Sequence, residues 1–174
     1  MRRSLLITLA ITLLAGCSAT GTSVVQSVPE DCEIESVISA FDEQVAGSDY
    51  VPTDWQPSEG TDLKAAIDAG GIACSYGIQV AEVGGTILWA PASDELWESR
   101  SDQWKEYGQT PIDLEGFDED AAFILQDGTS ADEMHVWTIN LLVDGIWIQV
   151  GATFLQTVEE AFGIIEAAIE ATRT

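Results

Sequence analysis

Basic residues are scarce in this sequence. Lysine and arginine together number 6 in 174 residues, against 30 aspartates and glutamates, and the formal net charge is −24 at pH 7. Nucleic acids and anionic lipid surfaces are bound through clusters of Lys and Arg that neutralise phosphate. The composition therefore argues against nucleic acid as a partner. It leaves cationic proteins and divalent ions as candidate partners. The alternative is an acidic surface that serves solubility alone.

Histidine is scarcer still, because His135 is the single one in the chain. A Ser-His-Asp or Cys-His arrangement would have to use it, and zinc commonly needs three or four His or Cys ligands. The sequence also lacks a GxSxG nucleophile elbow, a phosphate loop and a dinucleotide fingerprint. We therefore predict no catalytic residue and no cofactor, and we expect that the protein is not an enzyme.

The sequence begins with an apolar run that is too short to span a membrane comfortably. Arg2 and Arg3 precede this run, which covers residues 5–14, and small residues and a cysteine follow it. A basic start, a short apolar run and small residues are typical of an export signal rather than of a transmembrane helix. The pair Arg2-Arg3 leaves both general secretion and twin-arginine export open as routes.

The end of this segment resembles the lipobox of bacterial lipoproteins, through the residues Leu14-Ala15-Gly16-Cys17. The resemblance implies that residues 1–16 are a signal peptide that is removed, and that Cys17 carries the acyl chains of a lipid anchor. It places the protein on the extracytoplasmic face of a cell membrane. An ordinary secretory signal with an accidental cysteine is the alternative.

Two cysteines remain once Cys17 is assigned, namely Cys32 and Cys74. In an oxidising exterior a disulfide is the default expectation for two thiols. Closing a loop of about forty residues would stabilise the fold by roughly 3 to 4 kcal/mol in the chain-entropy model. Two buried free thiols are the alternative.

Composition divides the rest of the chain into two parts. Residues 17–30 are small and polar without a sustained period, and they predict a flexible tether. Residues 31–174 are enough for a single domain with its own core. Helical periodicity and stop signals predict helices at 31–46, 61–69, 94–107 and from 157 onward. Alternating patterns predict strands at 72–80, 86–90, 121–125, 134–143 and 146–155, with Gly84-Gly85 as the turn between the first two. We therefore predict an α+β domain, with an antiparallel sheet of about five strands and helices packed on one face.

The clearest structural signal is Asp144-Gly145, which predicts a two-residue hairpin turn. Pairing outward from this turn places His135 opposite Phe154 on one face and Thr138 opposite Gly151 on the other. The second face also carries Trp147, Asn140 and Gln149, and we expect it to be mixed in polarity and half exposed. Trp55 lies in a segment without periodicity. Exposed tryptophans stack on sugars or anchor protein partners, so we predict these four residues as a candidate binding surface. Core packing is the alternative for each tryptophan.

Acidic residues are dense between residues 113 and 120, around Gly116. Calcium prefers oxygen ligands from flexible loops, although the spacing here does not match an EF-hand. A solvated acidic loop without metal is the interpretation that we favour. The acids of this loop are Asp113, Glu115, Asp118, Glu119 and Asp120.

The domain loosely resembles small acidic lipoproteins of actinobacteria, through Cys32, the run Cys74-Ser75-Tyr76 and Trp89. This resemblance implies location and architecture rather than activity. We therefore expect a membrane-anchored, non-enzymatic binding or accessory module of the cell envelope, with an envelope protein as a candidate partner. The alternative is a carboxylate-dependent hydrolase of cell-wall glycans, although spacing selects no particular pair of acids.

Overall fold

The computed structural model describes residues 26–127, 136–155 and 157–173. The helices are α1 (Glu35–Gln44), α2 (Asp62–Asp68), α3 (Asp94–Glu106) and α4 (Phe162–Glu170), with short 3₁₀ turns at Gln79–Ala81 and Val158–Ala161. The strands are β1 (Asp49–Val51), β2 (Ile72–Ile78), β3 (Val83–Pro91), β4 (Thr110–Ile112), β5 (Ala121–Asp127), β6 (Val136–Val143) and β7 (Ile146–Ala152). Within the described ranges, no helix is both long enough and apolar enough to cross a membrane.

All the strands join one antiparallel sheet in the order β1-β2-β3-β7-β6-β5-β4. The predicted α+β class is confirmed. The predicted number of strands is too low, because the sheet has seven and not about five. The two additional strands, β1 and β4, have 3 residues each and lie at opposite edges. A segment of this length is too short to display an alternating pattern.

Helices cover both faces of the sheet. α1 and α4 belong to the larger core cluster, which includes Trp89 and Ile148 of the sheet. On the other face, Trp104 of α3 joins Leu88 and Trp147 in a second buried cluster. The prediction that helices pack on one face is therefore wrong. The physical reason is that β3 and β7 carry large apolar side chains on both faces, so each face needs a cover.

The hairpin of β6 and β7 forms as predicted. Asp144 and Gly145 adopt φ values of 49° and 78°, which the right-handed twist of a two-residue hairpin turn requires. Val143 pairs with Ile146, and the register continues to Trp137 opposite Ala152. The predicted pairing of His135 with Phe154 lies outside the described residues.

The turn between β2 and β3 differs from the prediction, which used Gly84 and Gly85. The chain reverses instead through the 3₁₀ turn at Gln79–Ala81 and Glu82, and both glycines lie inside β3. A Cβ atom on Gly84 would come within 2.4 Å of the Tyr76 carbonyl oxygen. The glycine pair therefore permits close approach of neighbouring backbones and does not make the turn.

The predicted disulfide between Cys32 and Cys74 is present, and it ties the segment before α1 to β2. The first described residues also contact the domain. Ser27 donates its backbone N–H to the Thr172 carbonyl at 2.8 Å, and the Gln26 side chain donates to Asp144 at 2.9 Å. The end of the predicted tether, from Gln26 onward, is thus held against the C-terminal end of α4 and the β6–β7 turn.

Candidate functional site

The predicted binding surface around Trp147 is buried. Trp147 and Asn140 both have 0% of their surface exposed, and Gln149 is half-buried. The predicted exposure is therefore wrong for Trp147 and Asn140, whereas Gln149, Thr138 and Gly151 on the same face are half-buried. α2 and α3 cover it, and the Trp147 ring packs 5.4 Å from the ring of Trp104 on α3.

The polar atoms under these helices form a hydrogen-bond network. Asn140 Oδ1 accepts from Trp147 Nε1 and from Gln149 Nε2, both at 2.9 Å. Asn140 Nδ2 donates to Gln109 Oε1 at 2.9 Å. Buried polar groups are tolerated when each finds a partner, and Asn140 satisfies three such partners at once. Trp147 and Asn140 therefore hold the sheet together internally and have no surface available to a ligand.

Asp62 of α2 connects this network to both covering helices. Its carboxylate accepts from Gln149 Nε2 at 2.7 Å and from Trp104 Nε1 at 3.0 Å. It also forms an ion pair with Arg100 of α3, and the two side chains are only 20% and 11% exposed. Charge-assisted bonds of this kind are stronger than neutral ones. The position of α2 and α3 on the sheet is therefore fixed by polar contacts as well as by packing.

Trp55 is half-buried. Its Nε1 atom donates to the Ala73 carbonyl of β2 at 2.7 Å. The indole therefore fastens the loop between β1 and α2 to the sheet. The structure separates Trp55 from the buried network, so the four residues predicted as one surface do not form one.

An open groove lies on the same face of the sheet, beyond the end of the two helices. The cross-strand partners Leu88, Gln149 and Asn140 lie beneath the helices. Two residues away on each strand, on the side of the β2–β3 turn, the side chains are small and neither helix covers them. This uncovered row consists of Ser75, Thr86, Gly151 and Thr138, which pair in that order across β2, β3, β7 and β6.

The groove has a volume of about 470 Å³. Besides this row, its lining comes from β1, from the ends of β2 and β3 and the turn between them, from the end of β7, and from the residues that follow β1 and β7. No described residue of α2 or α3 takes part. The remaining lining residues are Val51, Thr53, Tyr76, Gly77, Ile78, Gln79, Glu82, Val83, Gly84, Gly85, Ala152 and Thr153.

Glycine makes the floor of the groove flat. A Cβ atom on Gly77 would come within 2.2 Å of the Val83 carbonyl oxygen, so no larger residue fits between β2 and β3 there. Hydroxyl groups surround this floor. Thr53 donates to the Ser75 hydroxyl at 2.9 Å or the Val51 carbonyl at 3.0 Å, and Thr153 donates to the Gly84 carbonyl at 3.1 Å.

The hydroxyls of Thr86 and Thr138 have no hydrogen-bond partner among the described residues, and both residues are half-buried in the groove. The predicted hairpin register already places Thr138 opposite Gly151. This pair of small residues in the middle of a long apolar hairpin is the sequence signal that marks the groove.

The groove carries a single charge. Glu82 is the one charged residue in the described lining, and its carboxylate belongs to an exposed residue at the β2–β3 turn. All four basic residues of the described chain form ion pairs elsewhere. These pairs are Lys64 with Asp68 and Glu59, Arg100 with Asp62, Lys105 with Asp102, and Arg173 with Glu170. The electrostatics of the groove therefore disfavour an anion.

The acidic loop before β5 does not assemble into a metal centre. Glu119 Oε1 accepts from the backbone N–H of Leu114 at 2.9 Å, and Asp120 Oδ2 accepts from the backbone N–H of Asp144 at 3.1 Å. Among the described residues, no three His, Cys, Asp or Glu side chains are grouped as metal ligands. Asp113, Glu115 and Asp118 are exposed. Cys17 and His135 lie outside the described residues.

The chain matches no protein-family model, and a search of curated proteins finds no similar sequence.

Proposed function

We propose that this protein is a lipoprotein anchored through Cys17 to the extracytoplasmic face of a cell membrane, and that its domain binds a ligand in the sheet groove without catalysing a reaction. The groove replaces the surface around Trp147 as the binding site. The observation that carries the proposal is an open cavity, lined by hydroxyl groups, on one face of the sheet.

The dimensions of the groove suit this role. Small-ligand sites in proteins have volumes of about 300 to 1,000 Å³ and combine apolar walls with a few polar groups. The groove volume of about 470 Å³ lies in this range, and Val51, which pairs with Ser75 and shares its face of the sheet, supplies an apolar wall. Hydrolysis of glycans uses two carboxylates that flank the bond. Glu82 is the one acid among the described lining residues, so the groove favours binding over glycan hydrolysis.

The position of the groove also suits an anchored protein. Gln26 contacts Asp144 at the β6–β7 turn, and Pro91 pairs with Ile146 beside that turn. Thr86 lies five residues back along β3, which is about 17 Å at roughly 3.3 Å per residue. A chain that leads from Gln26 to a membrane would therefore leave the groove at the far end of the sheet, accessible to ligands.

Membrane fractionation tests the anchor. The full-length protein and a Cys17→Ala variant are expressed in a bacterial host with an alkyne-labelled fatty acid. We expect the parent protein to incorporate the label and to sediment with membranes, and the variant to do neither. Equal labelling of both proteins would contradict anchoring through Cys17.

Site-specific photo-crosslinking tests the groove as the binding site. A photoreactive amino acid replaces Gln79, which lines the groove, or Tyr107, which is 68% exposed beyond the end of α3. In intact cells we expect adducts from position 79 and none above background from position 107. The same adducts from both positions would contradict a site in the groove. Release of reducing ends from wall glycan by the parent protein, lost in Glu82→Gln, would instead support the hydrolase.

A further inference from the structure

The chemistry of the groove changes along its length. Val83 pairs with Ile78 at the end that carries Glu82, Gly84 pairs with Gly77 in the middle, and the hydroxyl row begins at Thr86. The distance from Val83 to Thr86 along β3 is about 10 Å at roughly 3.3 Å per residue. A negative end and a hydroxyl end are thus separated by a flat, largely apolar floor.

We infer that the groove takes a small aliphatic ammonium compound with a hydroxyl or similar polar group at its other end. The ammonium would pair with the Glu82 carboxylate, the methylene chain would lie over Gly77 and Gly84, and the polar end would meet the hydroxyls of Thr86 and Thr138. This inference rests on the proposed function, because it names the ligand class of the same site.

Three observations favour this class over others. The described lining contains a carboxylate but no Lys or Arg, so an anion would meet only repulsion. Val51 and the glycine floor provide apolar contact that a strongly hydrated inorganic cation would not use. Thr86 and Thr138 have hydroxyls without a partner in the described chain, and these can both donate and accept.

Matched probes isolate the role of the charge. 5-Aminopentan-1-ol, pentane-1,5-diol and 5-hydroxypentanoate share a chain length and a hydroxyl end, and they differ in carrying a positive, no or a negative charge. Each is titrated into the isotope-labelled full-length protein in a non-ionic detergent at physiological ionic strength, and amide chemical shifts are recorded. We expect the amino alcohol to bind with a Kd on the order of 1 mM, as so small a ligand allows. Its shifts should cluster at Thr86, Thr138 and Gly151, and the other two probes should bind at least about tenfold more weakly.

Two variants separate a specific carboxylate from the general acidity of the domain. Glu82→Gln removes the charge in the groove, whereas Glu43→Gln removes an exposed charge on α1, which packs on the opposite face. We expect Glu82→Gln to weaken binding of the amino alcohol about tenfold and Glu43→Gln to change it less than twofold. Equal effects of the two substitutions would overturn the inference, because they would indicate diffuse attraction to an acidic surface.

A third variant tests the location without changing charge. Thr86→Leu fills the groove, and we expect it to abolish the shifts. If its melting temperature falls steeply, Thr138→Val, which removes a hydroxyl at nearly constant volume, takes its place.

Comparable binding of all three probes, or of none, would overturn the ammonium class. If the ammonium class is overturned but crosslinking from position 79 persists, the proposed binding function stands. If crosslinking from position 79 is absent as well, the proposed binding function is also overturned. Tighter binding of a blocked lysine peptide than of the amino alcohol would overturn the small molecule in favour of a protein side chain.

Discussion

Substitution of Asn140 by alanine is expected to destabilise the domain more than its small change in volume suggests. Asn140 accepts from Trp147 and Gln149 and donates to Gln109, with all three distances at 2.9 Å. Gln149 keeps its bond to Asp62 in the variant. Trp147 Nε1, which is fully buried, loses its acceptor, and this costs about 1 to 3 kcal/mol. The loss of the Asn140 donor to Gln109 Oε1, together with the small cavity that the substitution leaves, adds about 1 to 2 kcal/mol.

The total of about 2 to 5 kcal/mol corresponds to a fall in melting temperature of roughly 10 °C for a domain of this size. Urea denaturation followed by circular dichroism measures it. Thr138→Ala is the matched control, since Thr138 lies on the same face of β6 and has no partner among the described residues. We expect this control to cost less than about 1 kcal/mol.

A double-mutant cycle with Trp147→Phe tests the reason for the loss. Phenylalanine removes the buried N–H, so Asn140→Ala should cost about 1 to 3 kcal/mol less in that background. Additive losses, or an Asn140→Ala effect no larger than that of Thr138→Ala, would refute the assignment of this energy to the network.

Three further predictions concern the disulfide, the β2–β3 turn and a buried phenol. The double substitution Cys32→Ala with Cys74→Ala opens a loop with a sequence separation of 42 and should lower the free energy of unfolding by about 4 kcal/mol, measured in urea. Glu82 has a φ of 53°, so Glu82→Gly should raise the free energy of unfolding by about 0.5 to 1 kcal/mol, and a fall in melting temperature would contradict this. The same substitution should weaken binding of the amino alcohol about tenfold, as Glu82→Gln does. Burial raises the pKa of Tyr76 above its ordinary range. The folded state therefore keeps the phenol proton at a pH at which the unfolded state releases it, which is near pH 10. The free energy of unfolding should therefore fall as the pH rises above that value. Tyr76→Phe should flatten this alkaline fall in melting temperature, and an unchanged slope would contradict the assignment.

The sequence was sufficient for features that local chemistry determines. Asp144 and Gly145 tolerate positive φ, and this requirement alone sets the register of β6 against β7. The pairing of Cys32 with Cys74 followed from an even count of thiols after Cys17 was assigned. Strands β1 and β4 were missed because three residues carry no period.

The error around Asn140 and Gln149 has a different cause. Polar side chains on one face of a hairpin predict exposure, because an unpaired amide is costly to bury. Their partners come from distant parts of the chain, with Gln109 at a separation of 31 residues from Asn140 and Asp62 at 87 from Gln149. Alternation within a strand contains no information about such partners. Burial of this face therefore becomes visible only once α2 and α3 are placed.

The network and the groove are adjacent parts of one sheet face, and the network explains why the groove stays open. Gln149 and Gly151 are two residues apart on β7, as are Asn140 and Thr138 on β6, so the network ends where the groove begins. Asp62 and Trp104 bind the helices to the network, and these contacts prevent α2 and α3 from sliding over the small residues to close the cavity. The floor of the groove comes from strands paired on both sides, with the larger core beneath them. A groove held in this way is preorganised, and a ligand would bind it without the cost of ordering a loop.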